Sequence, residues 1–307
     1  MVISQNHFET MKSAAFNLGF IACGITTATK PIYHDYFESW LKAGKHGDMG
    51  WLKNNCDIGK NPEALLKGCR SVISLAYPYS SGAPITPDGF KVARYSEPWH
   101  EDYHYRLKQK GKHLIKLLSE LCPGSTSRIC VDSAPIMERS FAVMSGIGFQ
   151  GKNTMLIIPG FGSWVYLAEI LTTAQYNSDK LHILNGSCNE CEECLNNCPT
   201  GALESPYSIN SAKCLSYKTI EAKGDIAIST GRYMGKCFLG CDRCQEVCPH
   251  NTKTEDLISM PETNELLRMN EEEFNLMFGK TSLKRAGLNK IISGIRSIKL
   301  SFESEKG

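Results

Sequence analysis

The apolar positions of this chain fall into two rhythms. Between Gln5 and Leu18 the residues Phe8, Met11, Ala15 and Leu18 recur every three or four positions, which predicts a helix with Gly19 as its stop. Residues 102–121 repeat that rhythm with Tyr103, Leu107, Leu114 and Leu118 on one face. A third helix is predicted over 136–144, stopping at Gly146. The other rhythm is the short continuous run. Residues 71–76 are β-branched and apolar and stop ahead of Pro78, so they predict a buried strand. Residues 128–131, 155–158 and 164–171 read as further strands, the last two around the turn Pro159-Gly160-Phe161-Gly162. Strands and helices interleave, so a sheet with helices packed on it is expected.

The pattern breaks near Asn177. From Gly186 to Asn251 the chain is rich in Cys, Gly and Asn and poor in large aliphatic residues. Such a segment is expected to lack an apolar core of its own and to need another source of stability. Beyond Thr252 it becomes helical and charged. Glu271, Glu272 and Glu273 read as a solvated first turn, and residues 281–300 carry Lys284, Arg285, Lys290, Arg296 and Lys299 with no acid among them.

Composition sharpens this. Of 307 residues 42% are hydrophobic, enough for one large core plus a small appended module, and the formal net charge is only +2. Nucleic-acid binding would therefore need a local basic patch rather than a global field. The N-terminus has no cationic start followed by an apolar run, and no apolar stretch is long enough to span a bilayer, so a cytoplasmic protein is expected. Fourteen cysteines in such a chain point to metal rather than disulfides. Cys23, Cys56, Cys69, Cys122 and Cys130 are scattered and read as small buried apolar residues, whereas nine crowd between Cys188 and Cys248.

The crowded set carries the clearest chemistry. Cys188-x2-Cys191-x2-Cys194-x3-Cys198-Pro199 is the two-cluster ferredoxin run, in which three thiolates wrap one iron–sulfur cubane and the fourth ligates the other cluster. Cys241-x2-Cys244-x3-Cys248-Pro249 repeats the end of that motif, and zinc knuckles do not explain two Cys-Pro endings. Cluster one is then Cys188, Cys191, Cys194 and Cys248; cluster two has Cys198, Cys241 and Cys244 and takes its fourth ligand from Cys214 or Cys237. Two clusters move electrons without transforming a substrate, so the first half must bind whatever receives them.

Three patches there stand out. His100 and His104 are four apart and could share a helix face, though taken alone they read more simply as hydrogen-bonded surface or core histidines than as ligands. Asp102-Tyr103-His104 begins like a corrinoid Asp-x-His-x-x-Gly box, but Leu107 occupies the glycine position. Val131-Asp132-Ser133-Ala134-Pro135 places an acid where a strand runs into a turn, suited to a proton donor or, more simply, to capping the turn. Gly146-Ile147-Gly148-Phe149-Gln150-Gly151-Lys152-Asn153 has neither dinucleotide-fold nor phosphate-loop spacing, and fits either a tight turn or a backbone approach to a bulky ligand.

Taken with Glu138-Arg139, Gly162-Ser163, Glu169 and the run Gly240-Cys241-Asp242-x-Cys244-Gln245-Glu246-Val247-Cys248-Pro249, these motifs resemble the epoxyqueuosine reductases over roughly residues 5–300. The resemblance implies reduction of the epoxide of epoxyqueuosine to queuosine at the wobble position of tRNA, with cobalamin and two [4Fe-4S] clusters. It implies that Asp132 is the proton donor, that Cys214 completes cluster two, and that Cys237 is a bystander. It also implies that Tyr95, Asp132, Lys152, Asn153, Ser216, Cys241 and Asp242 lie at the corrin. The rival reading is a corrinoid reductive dehalogenase acting on a small organohalide. Lys218, Lys223, Lys284, Arg285 and Arg296 are the expected contacts to the tRNA anticodon stem-loop.

The expected architecture is α+β. A mixed sheet with flanking helices forms a cobalamin-binding domain over 1–176. A bacterial-ferredoxin-like domain with two [4Fe-4S] clusters follows over 177–255, then a short helical basic tail over 256–307. A monomer is expected, served by a low-potential electron donor and independent of any membrane.

Overall fold

A computed structural model of the protein describes residues 1–79, 82–176, 183–252 and 256–304. The expected domain boundaries at 177 and 255 fall on residues outside that set. The described chain forms two compact units: residues 1–44, 50–78 and 104–190 make one, and residues 45–49, 79–103 and 191–307 the other. No helix among the described residues is long and apolar enough to cross a membrane.

The first unit is organised on a four-stranded sheet in the order Ala22–Thr27, Ser71–Pro78, Val165–Thr172, Ser127–Cys130. Its pairings are antiparallel throughout. The two central strands run in register from Ser71 opposite Thr172 to Pro78 opposite Val165. Their near-continuous burial matches the unbroken apolar runs in the sequence. The first of these strands extends past Ala76 to include Pro78. A proline at a strand's last position costs only the final rung of the ladder, so it does not end the strand earlier.

Helix Glu138–Met144 lies on this sheet with Ser140, Phe141, Ala142, Val143 and Met144 all buried. It approaches so closely that a Cβ at Gly24 would collide with the Ser145 carbonyl. Glycine is therefore required at that strand position by space rather than by dihedral freedom. Phe141 and Met144 pack with Cys69, Val72, Cys130 and Leu171, while Ala142 and Val143 pack with Ala76, Ile147, Leu156 and Val165. Each large apolar side chain so buried contributes about 1.5–3 kcal/mol. Helices Gln5–Asn17 and Tyr103–Leu121 follow the spacing read from the sequence, burying Phe8, Met11 and Ala15 and Leu107, Gly111, Leu114 and Leu118. His100 corrects one expectation: it precedes the Tyr103–Leu121 helix and does not share its face with His104. Cys23, Cys69, Cys122 and Cys130 are buried as expected, and Cys56 is half-buried.

The second unit has its own four-stranded sheet, in the order Cys237–Leu239, Lys91–Val92, Ala83–Ile85, Leu257–Ser259. Here the pairing is mixed: parallel at both outer contacts and antiparallel at the centre. Its apolar core joins Phe90, Val92, Leu215, Met234, Phe238 and Leu239 to Phe274, Phe278, Leu283, Ile291, Ile295 and Ile298. This corrects the expectation of a cysteine-rich segment without a core. The segment does contribute to one, but most of its apolar partners arrive from residues 90–92 and 260–298. The Gly287–Ser304 helix is thus no solvated tail. One side carries nine buried residues, and Lys290 donates from that side to the carbonyls of Ala222 and Gly224. The acidic run opens helix Glu271–Phe278 as expected, closed by a capping box between Asn270 and Glu273.

Candidate cluster and proton-donor sites

The cysteine motifs fold as two similar short turns. Cys194 sits in helix Glu193–Asn196 and Cys244 in helix Arg243–Glu246, and each helix leads into a Cys-Pro pair, Cys198-Pro199 and Cys248-Pro249. Cys214 caps the Leu215–Ile220 helix. All fourteen cysteines are free. Within the second unit Cys214 lies in the electrostatic field of Cys198, and both act on Cys241. Cys244 in turn faces Cys241, Cys214 and Cys194. Burial, followed by these neighbouring sulfurs, pushes the Cys241 thiol up to about 12 and raises Cys244 well above the usual thiol range. Thiols crowded like this give up their protons only to a strongly cationic centre, so the donor set fits iron–sulfur ligation. Cys237 is bonded differently. Its Sγ donates toward the carbonyls of Leu239 at 3.4 Å and Gly240 at 3.6 Å, the habit of a protonated thiol. Cys188 belongs to the first unit, where its Sγ accepts the Lys152 N–H at 3.5 Å.

The residues named for the corrin fall into one group in each unit. In the second unit three segments are tied at Gly240. Its N–H donates to Thr219 Oγ1 at 2.9 Å, Leu239 O accepts from the Ala93 N–H at 2.8 Å, and Asp242 Oδ2 accepts from the Arg94 N–H at 2.8 Å. Tyr95, Cys241, Asp242 and the Ser216-bearing helix are thereby drawn to one turn. Gly240 sits at φ +73°, and a Cβ there would meet Ala93, so the turn requires glycine. Burial, with Asp242 and Glu221 nearby, raises the Tyr95 phenol, which therefore keeps its proton and can donate it in a hydrogen bond.

In the first unit the Gly151–Met155 turn is closed by Gly151 N–H to Met155 O at 2.8 Å and by Met155 N–H to Asn153 Oδ1 at 3.1 Å. Arg139 Nη1 donates to Thr154 O at 3.3 Å, which ties the Lys152–Asn153 turn to the helix that begins at Glu138. The phenol of Tyr95, the hydroxyl of Ser216 and the ammonium of Lys152 are donors of the kind that the amide carbonyls rimming a corrin accept from. The residues present fit that cofactor.

Asp132 follows the Ser127–Cys130 strand after Val131. Its backbone is left-handed at φ +49°, uncommon for a residue with a side chain. Two groups hold it. Its N–H donates to Glu138 Oε1 at 2.6 Å, and its Oδ2 lies 2.9 Å from His104 Nε2. The Asp132 side chain is 53% exposed, so its carboxyl faces outward from these anchors. Behind it Glu138 is pushed up to about 8 by burial and then by the Asp132 charge. Glu169, fully buried, is raised well above the carboxylate range by burial and then by Glu138. Neither Glu138 nor Glu169 was singled out chemically by the sequence, and His104 read as an ordinary helix histidine. The signal for Glu169 was available: a charged residue inside an otherwise apolar strand run.

Among the basic residues, Lys223, Lys284 and Arg296 are exposed and Lys218 is half-buried. Arg285 is also exposed, but Glu221 accepts from its Nε at 2.8 Å and from its Nη2 at 3.0 Å.

Two family models match the chain: "Epoxyqueuosine reductase QueG, DUF1730" over residues 60–133 and "4Fe-4S double cluster binding domain" over residues 187–251. A curated epoxyqueuosine reductase of Cyclobacterium marinum is 35% identical, over 92% of this chain and 93% of its own length. Among solved structures, the epoxyqueuosine reductase of Streptococcus thermophilus superposes with a TM-score of 0.85 at 25% identity, over 97% of this chain and 82% of that one. An epoxyqueuosine reductase solved with an epoxyqueuosine-modified tRNA-Tyr stem-loop gives a TM-score of 0.83 at 28% identity, with the same coverage. Likeness of this extent, running through both units, decides between the two readings the sequence left open: the chain belongs to the epoxyqueuosine reductase family.

Proposed function

We propose that this protein reduces epoxyqueuosine to queuosine within the anticodon stem-loop of tRNA, in the cytoplasm, as a monomer served by a low-potential electron donor. The observation that carries the reading is Asp132, an outward-facing carboxyl pinned at a left-handed backbone position, in a member of this family that also carries a double-cluster cysteine set. The reaction consumes the epoxide, two electrons and two protons, and yields the alkene and water. Cobalamin and the two [4Fe-4S] clusters, when bound, supply electrons at low potential.

The chain's own residues do the rest. Cys188, Cys191, Cys194 and Cys248 hold one cluster, and Cys198, Cys214, Cys241 and Cys244 the other. Tyr95, Lys152, Asn153, Ser216, Cys241 and Asp242 line the corrin. Opening an epoxide leaves an oxygen far more basic than a carboxylate, so an acid placed beside it lowers the barrier. Asp132 Oδ provides that proton, and the His104 imidazole orients the carboxyl. Lys218, Lys223, Lys284 and Arg296 meet tRNA phosphates, and Arg285 joins them only while shared with Glu221.

The test is direct. Protein loaded anaerobically with iron, sulfide and cobalamin, and reduced by a low-potential donor, is mixed with a stem-loop carrying epoxyqueuosine. Mass spectrometry is expected to show the loss of one oxygen atom from the modified nucleoside. An unchanged nucleoside, together with dehalogenation of a small organohalide and no tRNA affinity, would overturn the reading.

A further inference from the structure

The Gly24, Ser74, Glu169 and Cys130 positions lie opposite one another in register across the first unit's sheet. Ser74 and Glu169 are fully buried, and among the described residues neither the Ser74 hydroxyl nor either Glu169 carboxyl oxygen has a hydrogen-bond partner. A buried carboxylate without partners is prohibitively costly, so Glu169 is a neutral acid. Glu138 stands next to it at the start of the helix that covers this face. The groups facing Glu138 are Asp132, Arg139, His104 and Glu169. Cys130, with Arg128 and Cys69 beside it, completes the surroundings.

This arrangement reaches the proton-donor loop through Glu138. Its distinguishing contact is the bond from the Asp132 N–H to Glu138 Oε1 at 2.6 Å. Asp132 needs such a restraint. Its left-handed φ of +49° is strained for a residue with a side chain and persists where the surroundings enforce it. The neighbouring turns Ser133 N–H to Val131 O and Ile136 N–H to Ala134 O keep the loop tight on either side of it. His104 meets the carboxyl, at Oδ2.

We propose that Glu138 is a positioning residue for the reaction, its half-buried side chain latching the Asp132 backbone so that the acid is presented outward at its left-handed turn. Glu169 serves the latch from beneath as a neutral carboxyl that adds no competing charge. The role in catalysis rests on Asp132 being the proton donor; the latch itself does not.

The experiment compares Glu138→Met and Glu138→Gln with the unaltered protein. Methionine is apolar and of similar length, so it fills the half-buried site without an acceptor. Glutamine keeps an acceptor oxygen and is neutral. Hydrogen exchange is followed on the peptide spanning residues 130–137 and on a control peptide from strand Val165–Thr172. The Asp132 amide is expected to exchange at least about tenfold faster in Glu138→Met, to stay protected in Glu138→Gln, and to leave the control strand unchanged. In turnover with the stem-loop, Glu138→Met is expected to lower kcat about 10–100-fold with KM within about twofold, and Glu138→Gln to retain kcat within about threefold. Equal exchange at Asp132 in all three proteins would overturn the latch. Faster exchange spread evenly into the control strand would reduce Glu138 to a structural residue and overturn it too. Should Glu138→Met fail to fold, loss of Asp132 protection in Glu138→Gln would be equally damaging. If the unaltered protein leaves epoxyqueuosine intact, the functional reading falls while the exchange result still judges the latch.

Discussion

The two units bury the same chemical groups to opposite ends. In the first, Cys23 and Cys130 are buried, Cys130 among apolar side chains and beside Cys69, and burial is the main cause that pushes each thiol up to about 12. In the second, Cys214, Cys241 and Cys244 are raised as well, but there the neighbouring sulfurs add to burial. The thiols of the first unit, alone or as the Cys69 and Cys130 pair, are stable as neutral packing groups. The convergent ones of the second repel one another as soon as they ionise, and only a bound cationic centre relieves that repulsion. Burial therefore does not mark a ligand; mutual proximity of several sulfurs does. Carboxyls repeat the lesson. Glu169, buried within the sheet, and half-buried Glu138 on the helix that covers it are both held neutral, whereas Asp132 is turned outward from the same group of acids.

The comparison breaks most visibly at Asp132. Replacing it by asparagine keeps the shape and removes the proton, and is expected to lower turnover by at least about a hundredfold while the iron content stays unchanged. A parallel loss of iron would show that the two units are not separable in this way. Next in size is Phe238→Ala in the second unit's core. Phe238 is fully buried among side chains from the Gly287–Ser304 helix and its neighbours, so truncation is expected to cost about 3–5 kcal/mol by denaturant unfolding of the cluster-loaded protein. An unfolding curve that does not move would mean that metal alone holds this unit.

A smaller effect sharpens the account of the neutral acids. The Glu138 carboxyl titrates from 4.5 when unfolded to about 8 when folded. The folded protein then holds one more proton between those values. Its contribution to stability is whole below pH 4.5 and is lost as pH rises through about 8, at up to about 1.4 kcal/mol per pH unit. Glu138→Gln is expected to flatten that part of the stability curve, and parallel curves for the two proteins would contradict a neutral Glu138. Least of all, Lys223→Ala is expected to weaken stem-loop binding modestly and to reduce the slope of log affinity against log salt by about 1 or less. An unchanged slope would remove Lys223 from the phosphate contacts.

Much of this was legible in advance where local pattern decides structure. The Gln5–Asn17 and Tyr103–Leu121 helices follow their apolar spacing, and the central strands follow their unbroken apolar runs. The cysteine spacing announced a double-cluster domain because a cubane constrains ligands close in sequence. What escaped was non-local. The core of the second unit is assembled from Phe90 and Val92, from Phe238, and from Ile291 to Ile298, segments far apart in the chain and individually too short or too basic to read as a core. The basic stripe of the last helix hid its apolar side for the same reason. His104 and Glu138 escaped because their importance lies in touching Asp132, 28 and 6 residues away, and spacing alone does not report such contacts.

The most direct measurement of the central claim is iron content in anaerobically loaded protein. Cys214→Ser is set beside Cys237→Ser, both from the second unit, with Cys130→Ser from the first as the control. The account predicts about eight irons per chain in the unaltered protein, in Cys237→Ser and in Cys130→Ser, and about four in Cys214→Ser as the second cubane is lost. About eight irons in Cys214→Ser with about four in Cys237→Ser would contradict it, and so would zinc in place of iron.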